Sequence, residues 1–209
     1  MSADARVAVA AHEQHRDDVG TKIGMWLFLF TELILYGGMF IVYAVYRFSH
    51  GAEFSLAAKE LDTLVGTVNT LILLTSSLTV AMSITAIQEG RKRLSLVLVG
   101  ATIVMALAFL VNKYFEWEHK FSIGIYPGSP DLATKPPGEI LYFGLYFVMT
   151  GLHALHVIIG MVVLAVMMVF IARGSINRSS YVRLESGALY WHLVDIIWIF
   201  LFPLFYLLH

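Results

Sequence analysis

The uncharged stretch Ile140–Ala172, ILYFGLYFVMTGLHALHVIIGMVVLAVMMVFIA, decides the fold and runs for 33 residues. A helix rises about 1.5 Å per residue, and the hydrocarbon core of a bilayer is about 30 Å thick, so about 20 apolar residues cross it. This segment is therefore predicted to be a membrane-spanning helix. Because it is longer than a perpendicular span needs, we expect it to tilt strongly or to project past the lipid headgroups.

Four further apolar segments are long enough to cross a membrane, at 24–46, 63–87, 94–116 and 187–208. Together with 140–172 they predict an all-α polytopic membrane protein built as a bundle of five transmembrane helices. We assign residues 24–209 to one transmembrane domain. Residues 1–23 are predicted to form a cytoplasmic N-terminal tail that is largely disordered.

Composition supports a membrane protein and excludes several other classes. The 209 residues are 58% hydrophobic and 14% charged, with a mean hydropathy of +0.75, whereas a soluble domain carries about 25% charged residues. The chain has no cysteine, which excludes a thiolate metal site or an iron–sulfur cluster. A net charge of −1 gives no electrostatic attraction for nucleic acid.

The distribution of Lys and Arg predicts the orientation of the chain. Nine of these residues lie on the side that holds the 1–23 tail and the loops around 91–93 and 173–183, and five lie on the other side. The excess of basic residues marks the cytoplasmic side. We therefore expect a cytoplasmic N-terminus and a C-terminus on the outer face. Arg178 and Arg183 at the inner boundary can donate charge-assisted hydrogen bonds to lipid phosphate.

Placing an ionisable side chain inside a membrane costs free energy, so each one within the spans is expected to have a structural or functional role. Glu32 is either a carboxyl group that carries protons or contacts lipid, or a protonated acid that hydrogen-bonds to a neighbouring helix. His153 and His156 lie on one face of their helix. They either ligate a haem or a metal, with His192 as a partner on the last span, or they are hydrogen-bonded packing residues.

The last span carries three ionisable residues on one face, Glu185, His192 and Asp195, which are spaced by seven and three residues. Asp195 lies near mid-membrane, and we expect it to pair with His192 or with a polar group on another helix. Glu185 lies near a helix end, as Glu116 does on the third span. Together with Asn69 on the second span, we interpret these two carboxyl groups as structural intramembrane polar residues.

Six short motifs occur in an order that resembles one family of membrane proteins, cytochrome c oxidase subunit III. They are Gly24–Glu32, Val68–Thr70, Gln88–Arg91, Phe115–Trp117, Thr150–Gly160 and Tyr190–Trp198. Gly24–Glu32 resembles the family's helix with its membrane-embedded, carbodiimide-reactive glutamate. Thr150–Gly160 is similar to the family's Gly-x-His-x-x-His-Val-x-x-Gly, and Tyr190–Trp198 to its Trp-His-x-Val-Asp-x-x-Trp. The resemblance covers nearly the whole chain after the tail.

The resemblance implies a non-redox core subunit of a bacterial haem–copper terminal oxidase, in the inner membrane and without a catalytic centre of its own. Such a subunit stabilises subunit I, binds structural phospholipid and supports proton uptake. The haems and copper belong to partner subunits, so no cofactor is expected on this chain. The implied partners are subunit I as the main contact, subunit II, a subunit IV and membrane lipids. The residues then expected to be lipid-binding or proton-related are Glu32, His153, His156, Arg183, His192 and Asp195.

The sequence departs from the longer family members in two respects. It is a five-helix form that lacks the first two of the seven helices of mitochondrial members. Where those members carry a His-His pair near the inner end of the next helix, this chain has Ile84 and Thr85. We therefore expect Glu32 to have a different partner, if it has one.

Three alternative functions remain open at this level. A subunit III-like accessory protein of a nitric oxide reductase shares the expected fold, and genome neighbours would discriminate it. A membrane cytochrome b would use His153 or His156 with His192 as haem ligands. A proton-coupled transporter would use Glu32 and Asp195.

Overall fold

A computed structural model describes the backbone of residues 3–208 and the side chains of residues 19–208. Seven α-helices follow one another, and the last continues as a π-helical turn, Pro203–Leu207. The helices are α1 Ala3–Ser49, α2 Gly51–Ala58, α3 Thr63–Gln88, α4 Lys92–Ser122, α5 Pro130–Ala133, α6 Pro137–Arg173 and α7 Val182–Phe202. Within residues 3–208 no strand forms. The predicted all-α class is confirmed.

The structure contains the five expected long apolar helices, at Val19–Ser49, Thr63–Gln88, Lys92–Ser122, Pro137–Arg173 and Val182–Leu207. The first four predicted spans lie wholly within these helices, and the fifth extends one residue beyond Leu207. The protein is therefore an integral membrane protein. We call the end of the bundle with residues 50–62 and 123–136 the long-loop end, and the end with residues 89–91 and 174–181 the short-loop end.

Helix α1 extends further towards the N-terminus than the sequence predicted. It begins at Ala3, so the backbone of residues 3–23 is helical where we expected a largely disordered tail. This stretch is rich in alanine, which has the highest helix propensity, and it continues directly into an apolar helix that supplies the nucleus. Met1, Ser2 and His209 lie outside the described residues.

The long helix α6 is covered at the long-loop end by the short helix α2. The 37 residues of α6 correspond to a length of about 55 Å. Phe54 packs edge-on against Tyr142, with ring centroids 5.4 Å apart, and the Gly138 backbone N–H donates to the Glu53 carboxylate. The first turns of α6 are therefore packed against α2.

Helix α7 is the centre of the bundle and contacts α1, α3 and α6. Two buried tryptophans on it donate their indole N–H groups to hydroxyls of α3. Trp191 Nε1 lies 3.0 Å from Ser76 Oγ, and Trp198 Nε1 lies 3.0 Å from Thr70 Oγ1. Small polar residues on α3 thus let the two helices approach closely and satisfy the buried indoles.

Helix α1 packs on the bundle through one narrow stripe. Its buried residues are Leu29, Tyr36 and Tyr43, which are spaced by seven and so lie on one face of the helix. Other apolar side chains of α1 are exposed, for example Leu27 at 63% and Ile41 at 67%. Most of α1 therefore faces the surroundings of the chain rather than its core.

The α6–α7 contact depends on a glycine beneath a tryptophan. A Cβ atom at Gly160 would lie 2.8 Å from Cε3 of Trp191, so the ring leaves no room for a methyl group. We expect Gly160→Ala to lower the free energy of unfolding by about 1–3 kcal/mol because it overpacks this contact. Titration of the detergent-solubilised chain with SDS measures the change. Gly144→Ala is the control on the same helix, because nothing lies within 4 Å of its added Cβ.

Candidate functional site

Glu32 and His156 form a pair in the interior of the bundle. Glu32 Oε2 on α1 lies 2.8 Å from His156 Nε2 on α6, and the two side chains are 14% and 9% exposed. The Glu32 partner that the sequence left unidentified is thus His156. Because an unpaired ionisable group in a membrane is costly, the contact stabilises both side chains and joins α1 to α6.

The remaining contacts of His156 fix which of its ring nitrogens carries hydrogen. His156 Nδ1 lies 2.7 Å from the backbone carbonyl oxygen of Leu152. A carbonyl oxygen can only accept, so Nδ1 donates to it. In the neutral ring, Nε2 then has no hydrogen, and the 2.8 Å contact with Glu32 requires one additional proton. That proton is carried either by the Glu32 carboxyl or by His156 Nε2, so the two groups share one proton.

Two tyrosines attach this pair to the rest of the bundle. The Tyr36 hydroxyl lies 3.3 Å from His156 Nδ1, one turn along α1 from Glu32. The Tyr190 hydroxyl donates to the backbone carbonyl oxygen of His156 at 3.2 Å and brings in α7. The Glu32–His156 pair therefore lies where α1, α6 and α7 meet.

His153 does not belong to the same pair, although it precedes His156 by only three residues. Its ring lies against Phe109 and Trp198, with centroid distances of 5.5 and 5.1 Å, and neither ring nitrogen has a hydrogen-bond partner among the described residues. His192 faces α3, where its Nδ1 lies 2.6 Å from Ser77 Oγ. The structure therefore does not bring together the three imidazoles that a haem or metal site would use. Within residues 19–208, no group of three or more potential ligand side chains occurs.

Of the two partners expected for Asp195, His192 or a polar group on another helix, His192 is not bonded to it. Because His192 bonds to Ser77, its ring is turned towards α3. Asp195 is 3% exposed; its carboxyl oxygens make no direct hydrogen bond within residues 19–208, and Ser77 of α3 is the polar side chain that interacts with the carboxyl group. Glu185, on the same face, lies 3.4 Å from Lys22 of α1. His192 and Asp195 thus both face Ser77 of α3, whereas Glu185 contacts α1.

A second polar network lies towards the long-loop end, and the sequence analysis missed its centre. Lys113 is 3% exposed and lies 3.3 Å from Glu116 Oε2. Its ammonium donates to the hydroxyls of Tyr146 at 3.0 Å and Tyr206 at 2.8 Å. Both hydroxyls in turn donate to Glu116 Oε1 at 2.5 Å. Opposite charges three residues apart in an apolar span, Lys113 and Glu116, are the signal in the sequence that indicates this pair.

The other expected polar positions lie outside these two networks. Asn69 on α3 accepts a hydrogen bond from Asn112 Nδ2 of α4 at 2.8 Å. Arg178 and Arg183 are exposed at the short-loop end, and the Arg183 guanidinium lies 6.0 Å from the Phe170 ring centroid. Both arginines are therefore accessible at the boundary where lipid phosphates would lie.

Comparison with known proteins gives a match over nearly the whole chain. Residues 4–209 match the family model described as cytochrome c oxidase subunit III. A protein of Synechocystis sp. named cytochrome c oxidase subunit 3 is 32% identical over 199 residues, covering 95% of this chain and 80% of the relative. A protein of Pseudomonas putida named cytochrome bo(3) ubiquinol oxidase subunit 3 is 30% identical over 189 residues, covering 90% of this chain and 86% of the relative.

A third relative joins two subunits in one chain. It is the Aeropyrum pernix protein named heme-copper oxidase subunit I+III, which is 30% identical over 192 residues. The match covers 89% of this chain but 22% of that protein. The similarity is therefore confined to one part of the fused relative.

Proposed function

Since the chain belongs to the cytochrome c oxidase subunit III family, we propose that it is the non-redox core subunit of a bacterial haem–copper terminal oxidase in which it stabilises subunit I, binds phospholipid and supports proton uptake. The observation that carries this proposal is the family match over residues 4–209. Subunit III of a haem–copper oxidase implies a complex with subunit I, and one relative is named as a fusion of the two. Subunits II and IV are further proposed partners, and the haems and copper lie in the partner subunits.

Support for the proton-related part comes from the Glu32–His156 pair. The two groups share one proton inside the bundle, as the hydrogen bond of His156 Nδ1 to Leu152 requires. Such a pair holds a proton in the membrane without an isolated charge. Support for the stabilising part comes from α1, whose exposed apolar side chains offer a surface to a partner subunit or to lipid.

The proposed orientation places the short-loop end in the cytoplasm. This end has the compact basic segments Arg91–Arg93 and Arg173–Arg183, which favour the cytoplasmic side. The exposed Arg183 then meets the inner leaflet, where a guanidinium can bind lipid phosphate. The N-terminus is cytoplasmic, and the C-terminus faces the outside.

Removal of the chain tests the accessory role directly. We expect the oxidase purified without this chain to lose activity faster during continuous turnover and to unfold at a lower temperature, because subunit I loses a partner interface. Oxygen consumption and a thermal melt of the complex provide the two measurements. Full stability together with undiminished turnover would exclude the proposed role.

The isosteric variant Glu32→Gln tests how the buried pair is held. The Gln amide N–H can donate to His156 Nε2, so the hydrogen bond remains when the shared proton is removed. We expect the subunit to stay in the complex, with a free energy of unfolding within about 1 kcal/mol of wild type. Glu32→Leu leaves His156 Nε2 without a partner and is expected to lower the free energy of unfolding by about 1–3 kcal/mol. Loss of the Gln variant from the purified complex would show that the pair is held in another way.

A further inference from the structure

A cavity of about 490 Å³ opens between α3 and α4 at the long-loop end. It lies at the opposite end of the bundle from the exposed arginines, and it is separate from the Glu32–His156 pair. Its charged rim contains Glu60, Asp62 and Lys120 together with His119. The function proposed above uses none of these side chains.

The rim of the cavity presents one cation and two carboxylates, and hydrogen bonds hold the Lys120 ammonium and the Asp62 carboxylate. Lys120 is 3% exposed, and its ammonium donates to the backbone carbonyl oxygen of Glu60. That carbonyl uses one of the three N–H donors of the ammonium. Asp62 is held at the start of α3, where its Oδ1 accepts from the backbone N–H of Leu64 at 2.8 Å. Glu60 and Asp62 are both exposed.

Glu116 also reaches the cavity, but its charge is matched inside the bundle. Lys113 lies 3.3 Å from Glu116 Oε2, so this pair adds no net charge to the site. The rim therefore contributes one positive charge from Lys120 and two negative charges from Glu60 and Asp62.

Below the rim the cavity has an apolar wall. Leu64 and Val68 are four residues apart, so they lie on one face of α3, and they are 72% and 41% exposed. Phe115 on α4 is 61% exposed. A ligand that fits must therefore combine an apolar chain with a headgroup that has both signs of charge.

We propose that this cavity binds a phospholipid with a zwitterionic, amine-bearing headgroup, phosphatidylethanolamine. Its phosphate meets Lys120, its ammonium lies between Glu60 and Asp62, and one acyl chain runs along the wall formed by Leu64, Val68 and Phe115. An anionic lipid such as phosphatidylglycerol would match Lys120 but would leave both carboxylates without a cation. The proposal deepens the lipid-binding part of the proposed function by assigning a site and a headgroup.

The test is photolabelling of the complete complex in vesicles of equal parts phosphatidylethanolamine and phosphatidylglycerol. One of the two lipids at a time carries a photoreactive group in its acyl chain, and the labelled peptides are mapped. We expect the phosphatidylethanolamine probe to label peptides that contain residues 60–68 or 112–120 about fivefold more than the phosphatidylglycerol probe does, as exposed ion pairs of this kind allow.

Two variants show whether the charges of the rim, rather than a change in the fold, determine the labelling. The first is the double variant Glu60→Gln with Asp62→Asn, in which the asparagine still caps helix α3. Labelling of these peptides by the phosphatidylethanolamine probe should fall about fivefold in this variant. Glu89→Gln removes an exposed carboxylate at the opposite end of the same helix pair and should leave the labelling unchanged. Equal labelling by both probes, or undiminished labelling in the double variant, would overturn the proposal. Absence of subunit I from the preparation would instead count against the proposed function, whatever the labelling pattern.

Discussion

Replacing Lys113 by methionine is expected to lower the free energy of unfolding by about 3–5 kcal/mol. Lys113 is 3% exposed and is the cation of a closed network in which Glu116, Tyr146 and Tyr206 supply the partners. Methionine fills a similar volume but leaves the Glu116 carboxylate buried without its cation. The loss is measured by unfolding the detergent-solubilised chain with SDS.

A second substitution shows whether the loss comes from the unpaired charge. Glu116→Gln in the Lys113→Met background removes that charge and retains an oxygen that accepts from the Tyr146 and Tyr206 hydroxyls. We expect it to recover most of the lost stability, because replacing both members of a buried ion pair costs less than removing one. Lys59→Met is the control, since Lys59 is exposed at the same end of the bundle. An equal loss in the single and double variants would refute the electrostatic explanation.

Replacing Trp191 by alanine is expected to lower the free energy of unfolding by about 3–5 kcal/mol, as truncation of a large buried aromatic side chain does. Trp191 is 0% exposed, packs over Gly160 of α6 and donates to Ser76 Oγ of α3 at 3.0 Å. The substitution opens a cavity where three helices meet and removes one of the two hydrogen bonds of this hydroxyl, which also donates to the Leu73 carbonyl oxygen. The same SDS titration measures the effect.

Trp26→Ala provides the control for the loss of an indole as such. Trp26 on α1 is 62% exposed, so its removal leaves the interior of the bundle unchanged. We expect a change within about 0.5 kcal/mol, which is usual for surface substitutions. If Trp26→Ala destabilised the chain as much as Trp191→Ala, the central position of α7 would be wrong.

Hydropathy was sufficient to predict the five spans, because a long and predominantly apolar segment that crosses a membrane satisfies its backbone hydrogen bonds as a helix. It was not sufficient to predict where the helices end. Helix α6 begins at Pro137 rather than near Ile140, and Glu53 of α2 accepts a hydrogen bond from the Gly138 backbone N–H in this first turn. That contact joins segments more than eighty residues apart, and local sequence does not reveal it.

The polar residues of the spans could be listed from the sequence, but most of their partners could not be named. His192 and Asp195 are on one helix face, yet His192 bonds to Ser77 of α3. His153 and His156 are three residues apart, yet His156 faces Glu32 and His153 faces Trp198. Spacing along one helix specifies a face of that helix. The partner depends on which neighbouring helix lies opposite, and tertiary packing determines this.

The most direct test of the subunit assignment is to tag this chain, extract it from the membrane in mild detergent and identify the proteins and haem that accompany it. The assignment predicts that a much larger membrane protein with the features of a haem–copper oxidase subunit I co-purifies. It also predicts that the reduced-minus-oxidised haem spectrum disappears when that protein is removed. A haem spectrum that stays with the isolated chain would contradict the assignment and would make His153, His156 and His192 candidate ligands.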